Sequence, residues 1–251
     1  MKRIFLTLLS VIVLSCLFET KAQTPSDVYF VPDPQTARWS YVQTDAAGKT
    51  MSKCYYSVES MKGDAVNGRV KLRIEEISAS SPTDTLRNQM FYCFRDGEFM
   101  VDMKAVFEGE VLESMVTTAI KEQSDVSEEE VKKAIETVRS QFKISGEIRG
   151  IPRYPQVGKL PDYEFQFKFS IMNMRVSGTD RNVIGTERID TPAGSFDCFV
   201  LEETVTTKAL TMKEVEKTKS WYAYGVGLVK EITCDKNGKL LSTMVLDSIN
   251  W

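Results

Sequence analysis

The segment Thr191-Pro-Ala-Gly-Ser-Phe-Asp-Cys198 places a hydroxyl, a carboxylate and a thiol within four positions. Those are the groups of covalent catalysis, in which a Ser or Cys attacks after a neighbouring base has taken its proton. The spacing opposes that use. On a strand, Ser195 and Asp197 share one face while Phe196 and Cys198 share the other. The chain also has no histidine, so the commonest general base and the commonest metal ligand are both missing. A turn set by Pro192 and closed by Gly194, running into a strand, accounts for every residue of the segment.

Other chemistry-bearing groups fare no better. Asp102, Glu108, Glu110 and Glu113 are close in sequence, but a calcium loop needs oxygen ligands at short fixed spacing around a Gly turn, so they read as a solvated face. Met172 and Met174, with Met103, Met115 and Met212, offer thioethers of the kind Cu(I) prefers, yet methionine serves as well as adaptable core filler, and that reading is taken. A carboxylate-only glycosidase would need two acids flanking a bond. Asp102, Asp197 and Glu202 would be its candidates, and no spacing singles out a pair. The expectation is a protein that is not an enzyme, with no catalytic residue, metal or cofactor. Trp221-Tyr-Ala-Tyr224 beside Gly225-Val-Gly227 differs, because aromatic rings at a tight turn can stack on a ligand or partner. Alternation pairs Trp221 with Ala223 and Tyr222 with Tyr224, so one pair should be core and the other surface. Trp221, Tyr222 and Tyr224 are therefore the candidate ligand or partner surface.

The N-terminus fixes a compartment. Lys2 and Arg3 precede an apolar run over residues 4–18, and small residues Thr20 and Ala22 stand three and one positions before Gln23. This is the pattern of a secretory signal cleaved between Ala22 and Gln23. The run of 15 residues falls short of the roughly 20 that span a bilayer as a helix, and lipidation at Cys16 is the alternative. Removing residues 1–22 takes away Lys2, Arg3, Lys21 and Glu19, so 32 basic and 35 acidic side chains become 29 and 34, a net charge of −5. No dense basic patch interleaved with aromatics is present, which argues against a nucleic-acid partner. The remaining 229 of 251 residues suffice for one β-rich domain over residues 23–251. Cys54, Cys93, Cys198 and Cys234 survive processing. An even number in an exported chain without a CxxC pair reads as disulfides, with three pairings open.

The elements that must hold these groups are hairpins. Asp45-Ala-Ala-Gly48 joins two strands, Asn67-Gly68 leads into a strand with Val70, Leu72 and Ile74 on one face, and Asp96-Gly97 suits a type I′ turn. Between residues 125 and 142 the spacing of Val131, Ala134, Ile135, Val138 and Phe142 predicts an amphipathic helix, opened by a capping box at Ser127 and Glu130. The prolines at 152, 155 and 161 predict an extended loop or sheet edge. Strands are expected again over 163–176, 183–189, 196–206, 217–224, 228–234 and 239–246. About ten strands and one helix lack the crossovers of a parallel α/β fold. The chain should be mainly β, a curved antiparallel sheet or incomplete barrel with the helix packed on it.

Four stretches together resemble the TapB-like family of Gram-negative envelope proteins: Phe99-Met-Val-Asp-Met-Lys104, Val157-Gly-Lys-Leu-Pro161, Thr191-Pro-Ala-Gly-Ser-Phe-Asp-Cys198 and Trp221-Tyr-Ala-Tyr-Gly-Val-Gly-Leu-Val-Lys230. That family is related to domains of unknown function built on a curved β-sheet. The resemblance implies an exported, non-enzymatic periplasmic protein associating with a tetratricopeptide-repeat protein. It also implies the pairings Cys93 with Cys198 and Cys54 with Cys234. A periplasmic binding or assembly module is the leading expectation. A half-barrel carrier of a lipid or other apolar small molecule is the alternative.

Overall fold

Most of the expected hairpins form, and their turns sit where the residue types demand them. The computed structural model describes residues 38–63, 66–108, 113, 116–117, 127–169 and 172–250. The first half runs β1 (Arg38–Asp45), β2 (Thr50–Gly63), β3 (Gly68–Ser78), β4 (Thr85–Arg95), β5 (Glu98–Val101) and helix α1 (Met103–Glu108). Helix α2 (Glu128–Gln141) leads into β6 (Lys143–Gly146), β7 (Ile148–Pro152), β8 (Gly158–Lys159) and β9 (Tyr163–Phe169). The chain ends with β10 (Met172–Thr191), β11 (Gly194–Ala209), β12 (Met212–Ala223), β13 (Gly227–Asp235) and β14 (Leu240–Asn250). In the β1–β2 loop, Asp45 Oδ1 accepts from the backbone N–H groups of Ala47 and Lys49, and Gly48 takes φ +79°. The β13–β14 loop repeats this arrangement with Asp235, Asn237, Lys239 and Gly238. Asp96 and Gly97 both have positive φ, as a type I′ turn requires.

All the strands join one antiparallel sheet of fourteen, in the order β6-β9-β10-β11-β12-β13-β14-β1-β2-β3-β4-β5-β7, with β8 beside β10. The count exceeds the ten expected for two reasons. The span 163–176 is a hairpin, since Phe169 of β9 pairs with Met172 of β10, and three short strands, β6, β7 and β8, lie around the prolines. The sheet is a nearly closed barrel because of β6 and β7. They occupy its two ends, pairing with β9 and β5 respectively, yet only Glu147 separates them in sequence. One bent segment thus touches both edges. The bend needs a glycine: Gly146 has φ +76°, and a Cβ there would lie 1.9 Å from the Glu164 carbonyl oxygen. That oxygen accepts the Glu147 N–H at 3.0 Å.

A second device holds the closure. In β10 the register slips between Thr179 and Asn182, and Asp180 takes φ +55°. Such a bulge re-aims a side chain, and here Arg181 turns inward until it is 1% exposed. Its Nε donates to Glu203 Oε2 at 2.7 Å, Nη1 to the Pro161 carbonyl at 2.8 Å, and Nη2 to the carbonyls of Arg149 at 3.0 Å and Gly150 at 2.6 Å. The guanidinium also lies 5.0 Å from the centre of the Tyr163 ring. One side chain therefore ties β10 to β11, β7, β9 and the loop before β9.

The inner face carries large apolar side chains: Leu72, Tyr92, Phe165, Val176, Val200 and Leu246 are completely buried. Trp39 stacks on Tyr56 at 5.7 Å, and the Tyr41 hydroxyl donates to the Leu228 carbonyl at 2.9 Å. Helix α2 has the expected capping box, and Phe142 at its end packs on Phe167 and Phe169 at 5.0 and 4.6 Å. Residues 125–126 of the expected helix lie outside the described residues. Helix α1, capped by Asp102 Oδ1 accepting from the Ala105 N–H, was not foreseen.

The disulfides are a correction. Cys54, Cys93, Cys198 and Cys234 are all free. Cys54 on β2 and Cys234 on β13 have β14 and β1 between them, a separation of roughly 14 Å at the usual strand spacing, about twice the reach of a disulfide. Cys93 pairs with Arg69 and Met100, whereas Cys198 pairs with Glu187 and Ala223. Burial pushes the thiols of Cys54 and Cys198 up to about 12 and that of Cys93 up to about 11, leaving them protonated and unreactive.

Two measurements check this architecture. Arg181→Ala should lower the unfolding free energy by about 3–5 kcal/mol in urea, because it strands a buried partner, while Arg188→Ala, which removes an exposed pair with Asp197, should cost at most about 1 kcal/mol. Ellman titration of unreduced protein should find every one of the four thiols after denaturation, and before denaturation half-buried Cys234 should react first; absence of thiols in denaturant would contradict the structure.

Candidate functional site

The aromatic segment at the end of β12 does not divide into one core pair and one surface pair. The ladder to β13 skips Val229, while pairing with β11 runs on unbroken, so Trp221 and Tyr222 keep opposite faces and both are covered: Trp221 is 4% exposed and Tyr222 is 8% exposed. The Trp221 Nε1–H donates to Glu187 Oε2 at 2.7 Å, and the ring lies 5.0 Å from Lys219 Nζ and 5.2 Å from Lys230 Nζ. That hydrogen bond is the main reason the Glu187 carboxyl is held below its ordinary value. Neither Trp221 nor Tyr222 offers a surface for docking.

Tyr224 does. It is 44% exposed at the β12–β13 turn, with its ring edge-on to Phe199 at 5.1 Å. Partial burial, with a smaller contribution from Tyr154, raises its phenol above the usual range. Tyr154 is itself 64% exposed, and the Arg153 guanidinium lies 5.1 Å from its ring centre. The loop after β7, rigid in φ at its prolines, thus brings a second aromatic to the turn that carries Tyr224. Sequence reasoning missed Tyr154. The available signal was an aromatic residue flanked by Arg153 and Pro155 in a loop, where nothing obliges a side chain to be core.

The remaining sequence candidates are dispersed. Ser195 donates to Asp190, Asp197 is ion-paired with exposed Arg188 at 3.1 Å, and the Cys198 thiol donates to the Phe196 carbonyl. Asp102 binds Arg69 while capping α1, Glu113 binds Arg139, and Glu202 lies 3.8 Å from Lys219. Glu110 lies outside the described residues. Met103 and Met174 are core, whereas Met212 is half exposed. These placements assemble no nucleophile with its base.

One group stands out electrostatically. Glu231 of β13 faces Ser220 of β12 across the ladder and accepts its hydroxyl at Oε2 at 2.7 Å, while Oε1 has no hydrogen-bond partner. The residue is 5% exposed. Burial, reinforced by the nearby carboxylates of Glu203 and Glu216, pushes its acid up to about 8. Burial also raises Glu203, although Arg181 beside it pulls the other way. At neutral pH Glu231 is therefore a protonated acid, which removes the cost of an unpaired charge in the barrel wall. It has no access to a substrate.

Known proteins share this fold. Residues 141–246 match the DUF3108-like family, a region that contains both Thr191-Pro-Ala-Gly-Ser-Phe-Asp-Cys198 and the Trp221 segment. No curated protein matches the chain. Among solved structures, a candidate lipoprotein from Parabacteroides distasonis is 19% identical with a TM-score of 0.61, the match covering 91% of this chain and 100% of that one. A candidate exported protein with a YmcC-like fold from Bacteroides fragilis is 18% identical with a TM-score of 0.59, covering 88% and 98%. At these identities the likeness is one of fold, and it agrees with the nearly closed antiparallel barrel derived above. The match is to a DUF3108-like family rather than to the TapB-like one, so the resemblance holds at that coarser level.

Glu231 sets a pH dependence. The folded protein keeps this proton up to about pH 8, whereas an unfolded chain releases it near ~4.3. Its contribution is full below about pH 4 and is lost as pH rises through about 8. Glu231→Gln keeps the acceptor for Ser220 and removes the ionisation. It should match the wild type within about 1 kcal/mol at pH 4.5 and exceed it by roughly 3–5 kcal/mol at pH 8, read as urea midpoints; equal midpoints at pH 8 would place Glu231 in water or beside a cation.

Proposed function

We propose that this chain is a non-enzymatic exported module of the cell envelope that binds a protein partner at the barrel end where Tyr154 and Tyr224 are exposed. The observation that carries the reading is that pair of rings, one braced by Arg153 and the other by Phe199. Rigid aromatic residues held by neighbours lose little entropy on contact and dominate protein interfaces. Export is supported by the signal pattern at residues 1–22 and by the fold shared with the two exported-type proteins. The resemblance to TapB-like proteins adds the finer reading that the partner is a tetratricopeptide-repeat protein of the periplasm.

The alternative, a carrier of a lipid or other apolar molecule, requires space inside the barrel. Trp39, Tyr41, Tyr92, Phe99 and Phe165 occupy the described interior, each 2% exposed or less. That filling favours partnership.

Mature wild-type protein and the double variant Tyr154→Ser/Tyr224→Ser, immobilised side by side, distinguish the readings. The wild type should recover a specific protein from envelope extract, with recovery falling at least about tenfold in the double variant while its circular dichroism stays unchanged. Equal recovery by both would remove this surface from the proposal. A stoichiometric lipid adduct on the wild type in native mass spectrometry would favour the carrier.

A further inference from the structure

The two halves of the chain meet where β14 pairs with β1, and the outer face beside this seam carries a cleft. Its lining includes Arg38, Tyr55, Ser57, Arg73 and Asn250, with Glu75 the one carboxylate among the lining residues. Register explains the hollow. Asn250, Arg38, Ser57 and Arg73 form one cross-strand row over β14, β1, β2 and β3. The adjacent row is Ser248, Ser40, Tyr55 and Glu75. Each row sets serine beside longer side chains on the same face, so the long ones stand as walls and the serines leave the gap. Arg38 and Arg73 arise two strand spacings apart, roughly 10 Å, with only Ser57 between them. Two extended arginines from such positions reach a group held over that serine.

The electrostatics of the cleft run against those of the whole chain. Arg73 is bound through Nε and Nη2 by Glu59, which also holds Lys71, while Glu75 holds Arg87. Among the described residues Arg38 makes no ion pair. Four cations, Arg38, Lys71, Arg73 and Arg87, thus face two carboxylates, a local excess of two positive charges on a chain of net charge −3. Tyr55 is 42% exposed at the same place, with Lys53 Nζ 5.5 Å from its ring centre on one face.

We propose that this cleft binds a small ligand presenting an oxyanion, phosphate or carboxylate, attached to a planar body. Arg38 and the free Nη1 edge of Arg73 grip the oxyanion, since guanidinium forks match both anions in geometry and charge. Ser57 and Asn250 add neutral donors, and the face of the Tyr55 ring away from Lys53 carries the planar part. The site lies on strands that carry neither Tyr154 nor Tyr224, so it stands whether or not a protein partner binds those tyrosines.

Calorimetric titration of mature protein with phenyl phosphate, benzoate and inorganic phosphate tests the proposal and sorts the anion class. Saturable binding of phenyl phosphate or benzoate is expected, the tighter of the two assigning phosphate or carboxylate, with inorganic phosphate at least about tenfold weaker for want of a ring. Arg38→Ala/Arg73→Ala should weaken binding by about a hundredfold. Ser57→Leu, which keeps both arginines and fills the gap, should weaken it comparably, while Arg188→Ala on another strand should leave it unchanged. Absence of saturable binding of all three probes, or affinity retained in the double variant or in Ser57→Leu, would overturn the proposal.

Discussion

A guanidinium buried to 1% exposure is tolerable only if its N–H groups find acceptors, and at Arg181 four hydrogen bonds engage four of the five. Three of the four acceptors are backbone carbonyls, two of them on β7. An isolated charge in a low-dielectric interior costs several kcal/mol, so the protein cannot keep Arg181 buried and also release β7. Closure of the barrel and satisfaction of this one charge are the same event. The bend at Gly146 makes it geometrically available by letting one segment serve both edges. Glu203, the only anion in the set, is itself pushed up by burial; the carbonyls, not the ion pair alone, carry the latch.

Local rules wrote much of the fold legibly. Asp45 and Asp235, Asp96-Gly97 and the Ser127 capping box appear as their sequences require, because each satisfies its hydrogen bonds within five residues. The inward alternation of Val70, Leu72 and Ile74 is equally direct. What the sequence hid depends on register. The bulge that aims Arg181 inward looks, in sequence, like a polar break between two strands. Trp221 and Tyr222 keep the opposite faces that alternation assigns, but Glu187, Lys219 and Lys230 cover the outer one, which is why only Tyr224 of the expected surface is exposed. Tyr154 was hidden by a different cause, since a loop residue acquires its neighbour only through tertiary placement. The cysteines were misread because parity and compartment were used where strand separation decides.

The distribution of polar groups fits a wall rather than a container. Glu231 sits among Ser220, Thr218 and Thr233, all buried, and remains neutral at physiological pH, so the inner face tolerates it without a counter-ion. The exposed features lie elsewhere, at the aromatic corner of Tyr154 and Tyr224 and in the arginine cleft by the β1–β14 seam. A scaffold that buries its ionisable groups in closure and displays contacts on its outside is suited to association, consistent with the function proposed.

Amide hydrogen exchange across Lys143–Pro152 tests the central claim most directly. If the bent segment and Arg181 make closure cooperative, the ladder amides of β6 and β7 will exchange only through the global unfolding that also exposes β10 and β11, and will share their denaturant dependence. Rapid, denaturant-independent exchange confined to the amides of that segment would show an edge that opens alone, and would contradict the account.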